Sequence, residues 1–127
     1  MGRRYLSVGG SAAGMAAAHT IRRNDQKGTV TVLSNESCAP YFRPMIPYII
    51  NGKKQVSDIA LDGSGTFTAS DIDVRTKACV ETVDTKNRRA TIHSGETFAY
   101  DKLLIATGSS PFCRRALTAW MPMGYSA

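Results

Sequence analysis

Cysteine is scarce in this chain: three residues in 127, Cys38, Cys79 and Cys113, lie far apart and form no CxxC pair. An odd, scattered set excludes a disulfide framework and points to a reducing compartment. Histidine is scarcer still. His19 and His93 have no cysteine at finger-type spacing, so no metal site is expected. No apolar run approaches the roughly 20 residues needed to cross a bilayer. The opening MGRRYLSVGG leads into a strand and a glycine turn rather than a secretory apolar core. A cytoplasmic protein without a membrane partner is the expectation. Long basic blocks are also missing. The net charge of +6 comes from 16 Lys and Arg against 10 Asp and Glu. The cations fall in short pairs such as Arg3-Arg4, Arg22-Arg23 and Arg88-Arg89. Such a distribution reads as a solvated surface, and no nucleic-acid partner is expected.

What is present suits one small domain with a real core, since 43% of the residues are apolar. Tyr5 to Val8 is a short apolar run ending in glycine, the pattern of a buried strand. A small-residue turn follows from Gly9 to Gly14. Met15 to Arg23 carries apolar residues at helical spacing, and Gly28 supplies a stop signal. Thr29 to Leu33 alternates and is β-branched, a second strand. Strand, turn, helix and strand make a βαβ unit with parallel strands. Pro40, Pro44 and Pro47 then impose a structured loop from Ser34 to Gly52, with a helical turn around Tyr48 to Ile50. Gly63 to Gly65 reads as a flexible point before a short helical segment. Asp73 to Val83 and Arg88 to His93 alternate as strands around a turn at Asp84 to Asn87. Gly95-Glu96 is a further turn, and Lys102 to Ala106 is a final apolar strand closed by Thr107-Gly108.

The most informative stretch is VGGSAAG, Val8 to Gly14. A dinucleotide fingerprint wants Gly-x-Gly-x-x-Gly between a strand and a helix. Here those positions hold Gly9, Ser11 and Gly14. Gly9 permits the turn, Ser11 is small enough for close approach of a pyrophosphate, and Gly14 lets the helix pack tightly. Ala12 and Ala13 complete a run of backbone N–H groups facing phosphate charge at a helix start. Glu36 stands 22 residues beyond Gly14, just after the second strand. A carboxylate there accepts hydrogen bonds from both hydroxyls of an adenosine ribose. Glycine turn and acid together point to an adenine dinucleotide.

Three further segments resemble the FAD/NAD(P)-dependent pyridine nucleotide (disulfide) oxidoreductases. Tyr41-Phe42-Arg43-Pro44 with Ile46-Pro47-Tyr48 and Asn51-Gly52-Lys53 is similar to the family's loop beneath the flavin. Ala78 to Val83 resembles the strand whose backbone touches the adenine. Tyr100 to Gly108, YDKLLIATG, is close to the family's Tyr-Asp-x-Leu-hydrophobic-hydrophobic-Ala-Thr-Gly strand. The resemblance covers Tyr5 to Pro111. It implies an α/β, Rossmann-like FAD-binding domain, a parallel sheet with a βαβ unit plus a small antiparallel β-meander. It also implies that Arg43 and Pro44 approach the flavin or its phosphates, Val80 the adenine, and Ala106, Thr107 and Gly108 the second phosphate side. Pro44 stands where some members carry a redox cysteine, so the resemblance favours the rubredoxin/ferredoxin reductase or nitrite reductase-like branches. The implied reaction is hydride transfer from NAD(P)H to FAD and on to an acceptor. The full-length parent is expected to be homodimeric or to pair with a redox protein.

After Pro111 the resemblance stops. Residues 1–111 read as a partial FAD-binding domain and 112–127 as an aberrant tail. Read one base earlier, Trp120-Met121 encodes Asp, Met121-Pro122 encodes Ala and Met123-Gly124 encodes Gly, whatever the codons. Those residues suit the family's usual continuation, so a single-base frameshift accounts for the tail. No catalytic acid, base or nucleophile can be named, and the isolated chain is expected to lack catalytic competence. Two other readings stay open at this point. One is a non-catalytic module for NAD or another adenine nucleotide, and the other is a non-functional fragment of a decayed gene.

Overall fold

Strand β1 (Arg4–Val8) is the axis on which the fold is built, and helix α1 (Ala12–Asn24) returns the chain to β2 (Thr29–Leu33) beside it. The computed structural model describes residues 2–61 and 71–110. The flexible point read at Gly63 to Gly65, the segment after it and residues 112–127, read above as an aberrant tail, lie outside the described residues. β2 is followed by a short 3-10 turn (Arg43–Met45), helix α2 (Ile46–Ile50) and a second 3-10 turn (Val56–Ile59). Then come β3 (Ile72–Arg75), β4 (Val80–Asp84), β5 (Arg89–Ile92), β6 (Thr97–Ala99) and β7 (Lys102–Ile105).

The strands divide into two sheets. A parallel sheet runs in the order β3-β2-β1-β7, with Tyr5 opposite both Val30 and Lys102. An antiparallel sheet holds β4-β5-β6. Alternation along the strands sorts side chains to two cores. Val30 and Val32 face α1, where Met15 and Ala18 pack, with Tyr5 and Ile21 at the margin. Leu6 and Leu33 face the antiparallel sheet and meet Ala78, Ala90, Ile92 and Tyr100. Both faces of the central strands β1 and β2 are thus covered, whereas Leu104 and Ile105 of β7 stay exposed.

Expectation and structure differ in four places. Asp73 to Val83 is two strands, not one. Val74 pairs with Val32 in the parallel sheet, whereas Val83 pairs with Ala90 in the antiparallel one. Alternation continues across the change of sheet, so periodicity alone could not reveal the break. Lys77, at φ 54, makes it. Helix α1 begins at Ala12 rather than Met15, placing the small residues in its first turn. Helix α2 starts two residues before the expected turn, with proline in its first turn, where a missing N–H leaves no bond unmade. β6 was not expected at all, being only three residues long.

The ends of the parallel sheet are tied differently. At the amino end, the Arg4 backbone N–H and guanidinium both donate to the Asp101 carboxylate, at 2.8 and 2.9 Å. These bonds hold the Asp101 carboxyl at about 2, below its ordinary 3.8. Among the described residues, no helix is long and apolar enough to cross a membrane.

Candidate functional site

At the carboxyl end, three strands deliver their last residues to one place. The Gly9 N–H donates to the Leu33 carbonyl at 2.8 Å, and the Ala106 N–H donates to the Val8 carbonyl at 2.7 Å. The chain leaves β1 through Gly9, whose φ of +113° disfavours any side chain. A Cβ there would lie 2.1 Å from the Ala106 carbonyl oxygen. A Cβ on Gly14 would lie 1.8 Å from the Gly9 carbonyl oxygen. The two glycines therefore allow α1 to start hard against the strand ends.

The start of α1 keeps its donors unspent. Ser11 stands at the N-cap but its side chain makes no capping bond, and no acidic residue lies in the first turn. The last turn, by contrast, carries Arg22 and Arg23, which complement the negative end of the helix. Uncapped N–H groups with a positive partial charge form a ready site for an anion.

Beyond β2 the chain turns sharply. The Glu36 N–H donates to Ser34 Oγ at 3.3 Å, and the Glu36 carbonyl accepts the Lys77 N–H at 2.9 Å. The Ala78 N–H donates to the Ser34 carbonyl at 2.8 Å, so the break between β3 and β4 lies along this turn. The Glu36 carboxylate forms an ion pair with the Arg43 guanidinium. Arg43 in turn sits over the Tyr41 ring, 5.4 Å from its centroid. The Tyr41 hydroxyl is pushed above its usual range by burial first, then by a hydrogen bond and charge from Glu36.

Together these segments enclose a cleft of about 440 Å³. Its walls are Val8 to Ser11, Leu33 to Glu36, Arg43, Ala78 to Val80 and Ala106 to Ser109. Eight residues singled out from the sequence line it: Gly9, Ser11, Glu36, Arg43, Val80, Ala106, Thr107 and Gly108. Ala12, Ala13 and Gly14 form the helical turn behind the opening, and Pro44 sits one residue off the wall in its 3-10 turn. Gly10, Ser34, Asn35, Ala78, Cys79 and Ser109 also line the cleft and were not singled out. Gly10, Ser34, Asn35 and Ser109 adjoin marked residues, a signal that was available. Ala78 and Cys79 belong to the stretch whose backbone the resemblance sets against the adenine, and only Val80 of that stretch is marked by itself.

A larger cavity of about 760 Å³ lies at the amino end, beside Arg4, Arg22, Lys27 and Asp71. Size favours it, but its chemistry does not. Arg22 there is committed to the carbonyls of Gly28 and Asp71, and among the described residues no helix start lines the space. In open α/β sheets, ligands bind beyond the carboxyl ends where the strand order reverses. In this sheet the order reverses at β1, with β2 on one side and β7 on the other.

The family model for pyridine nucleotide-disulphide oxidoreductases matches residues 3–117. The chain belongs to that family. The family is FAD-dependent and uses NAD(P)H. The chain is similar to the epsilon subunit of the NADH-dependent phenylglyoxylate dehydrogenase of Aromatoleum evansii, 32% identical over 85% of this chain and 26% of that protein. The NADH-rubredoxin oxidoreductase of Clostridium acetobutylicum is 32% identical over 84% of this chain and 27% of its own length. The crystal structure of that enzyme superposes with a TM-score of 0.78 at 29% identity, covering 91% of this chain and 30% of the other. The chain thus spans about a quarter of the length of these curated relatives.

Proposed function

We propose that the cleft at the carboxyl end of the parallel sheet holds the adenosine diphosphate half of FAD. The chain then serves as the N-terminal FAD-binding part of an oxidoreductase that passes hydride from NAD(P)H to FAD and on to an acceptor. The single observation that carries this reading is the convergence of the uncapped α1 start and the Glu36 carboxylate on one cleft. The backbone from Gly9 through Ser11, Ala12 and Ala13 to Gly14 faces the pyrophosphate, and Glu36 accepts from the ribose. Val80 lies against the adenine, Arg43 and Pro44 approach the flavin or its phosphates, and Ala106, Thr107 and Gly108 close the second phosphate side. FAD itself supplies the redox chemistry when bound, while these residues bind and orient it.

The residues present fit such a group. Side chains on Gly9 or Gly14 would fill the space between β1, β7 and α1, so the cradle requires both glycines. The rubredoxin reductase among the relatives suggests a small redox protein as electron acceptor for the complete enzyme. Purified chain titrated with FAD should quench flavin fluorescence and retain a yellow colour through gel filtration. A chain that stays colourless and binds neither FAD nor ADP would refute the assignment.

A further inference from the structure

Glu36, the acid assigned above to the ribose, is already engaged by its own loop. Arg43 pairs with Oε1, and Cys38 Sγ lies 3.8 Å from Oε2. The backbone carrying Arg43 is anchored. The Phe42 N–H donates to the Ile59 carbonyl at 2.8 Å, the Leu61 N–H donates to the Pro40 carbonyl at 2.8 Å, and Tyr41 bridges to Ala60. The Arg43 side chain remains 52% exposed and can rotate about this fixed base. Exchange of partners by the guanidinium therefore needs no movement of the loop.

We infer that the Glu36–Arg43 pair makes the cleft select phosphorylated adenosine over neutral adenosine. The inference rests on the nucleotide reading of the cleft and adds to it a source of specificity. Ribose hydroxyls that take up Glu36 are neutral donors replacing a charged one. The displaced guanidinium then needs another anion, and Glu36 is the only carboxylate among the described residues lining the cleft. A nucleoside brings no replacement. A diphosphate does, because its oxygens enter the same space between Arg43 and the start of α1. Phosphate accepts the guanidinium as readily as a carboxylate does. Arg43 thus opposes nucleosides and rewards nucleotides by a single rotation. Both partners are partly exposed, at 52% and 37%, which keeps the effect modest. Pairs of this kind contribute at most about fivefold.

The test titrates the full chain with adenosine and with ADP by calorimetry at low salt, as wild type, Arg43→Met and Arg43→Lys. Arg43→Met should bind adenosine more tightly and ADP more weakly, cutting the ADP preference by about fivefold. Arg43→Lys should keep most of that preference. In a Glu36→Gln background, Arg43→Met should no longer improve adenosine binding. Thermal unfolding of each variant checks that the exposed substitution leaves the fold intact. If ADP binds the wild type but Arg43→Met changes both ligands by the same factor, the inference is overturned while the nucleotide reading stands. If wild type binds neither ADP nor FAD, both fall together.

Discussion

The two ends of the parallel sheet are made from the same strands yet use their polar groups in opposite ways. At the amino end, Asp25 accepts the Tyr5 hydroxyl at 3.0 Å and the N–H groups of Lys27 and Gly28 at 3.0 and 2.9 Å. Those bonds hold its carboxyl below the ordinary range. Arg4 is committed to Asp101, and Arg22 to backbone carbonyls. At the carboxyl end, α1 begins uncapped, and Glu36 and Arg43 pair with each other in the wall of an open cleft. Polar groups satisfied by the chain serve to hold it together, whereas donors left unspent remain for a ligand. The larger cavity lies at the amino end, away from the cleft proposed to hold nucleotide.

The contrast can be broken most severely at Gly14. Gly14→Ala drives a methyl group into the Gly9 carbonyl, 1.8 Å away. It should cost about 3 kcal/mol, seen as a lower urea midpoint, because backbone on both sides must shift. An unchanged midpoint would mean that the helix start is not packed as described. Glu36→Gln probes the same end without disturbing the fold. ADP affinity should drop about tenfold, since charge-assisted bonds become neutral ones, while the unfolding midpoint stays put. Asp101→Asn sharpens the contrast from the amino end and has the smallest effect. The folded Asp101 carboxyl titrates at about 2 rather than 3.8. Its stabilisation is therefore present above pH 4 and is lost as pH falls toward 2. The variant should flatten the acid limb of the stability curve only in part, because Asp25 and Asp84 are also held low. ADP affinity should not change. A loss of affinity in Asp101→Asn would show that the two ends are coupled.

Legibility in the sequence followed the range of the interactions. The β1–α1–β2 unit and the final strand were readable because turn chemistry and apolar periodicity are local. Glu36 could be placed near the glycine turn because a βαβ unit leaves little freedom to the end of its second strand. The break near Lys77 was not readable. Val74, Thr76, Ala78 and Val80 keep one parity straight across Lys77, and only the partners tell that Val74 and Val83 belong to different sheets.

Residue order by itself determined the kind of unit this is. Glycines at the strand end, small residues at the helix start and an acid after the next strand act within a few residues of backbone, where sterics and hydrogen bonding leave few choices. Tertiary structure alone decided that β7 returns beside β1 to set Ala106 against Gly9, and that the loop beyond β2 folds Arg43 onto Glu36. Contacts between residues tens of positions apart depend on packing of the whole sheet, and no local pattern records them.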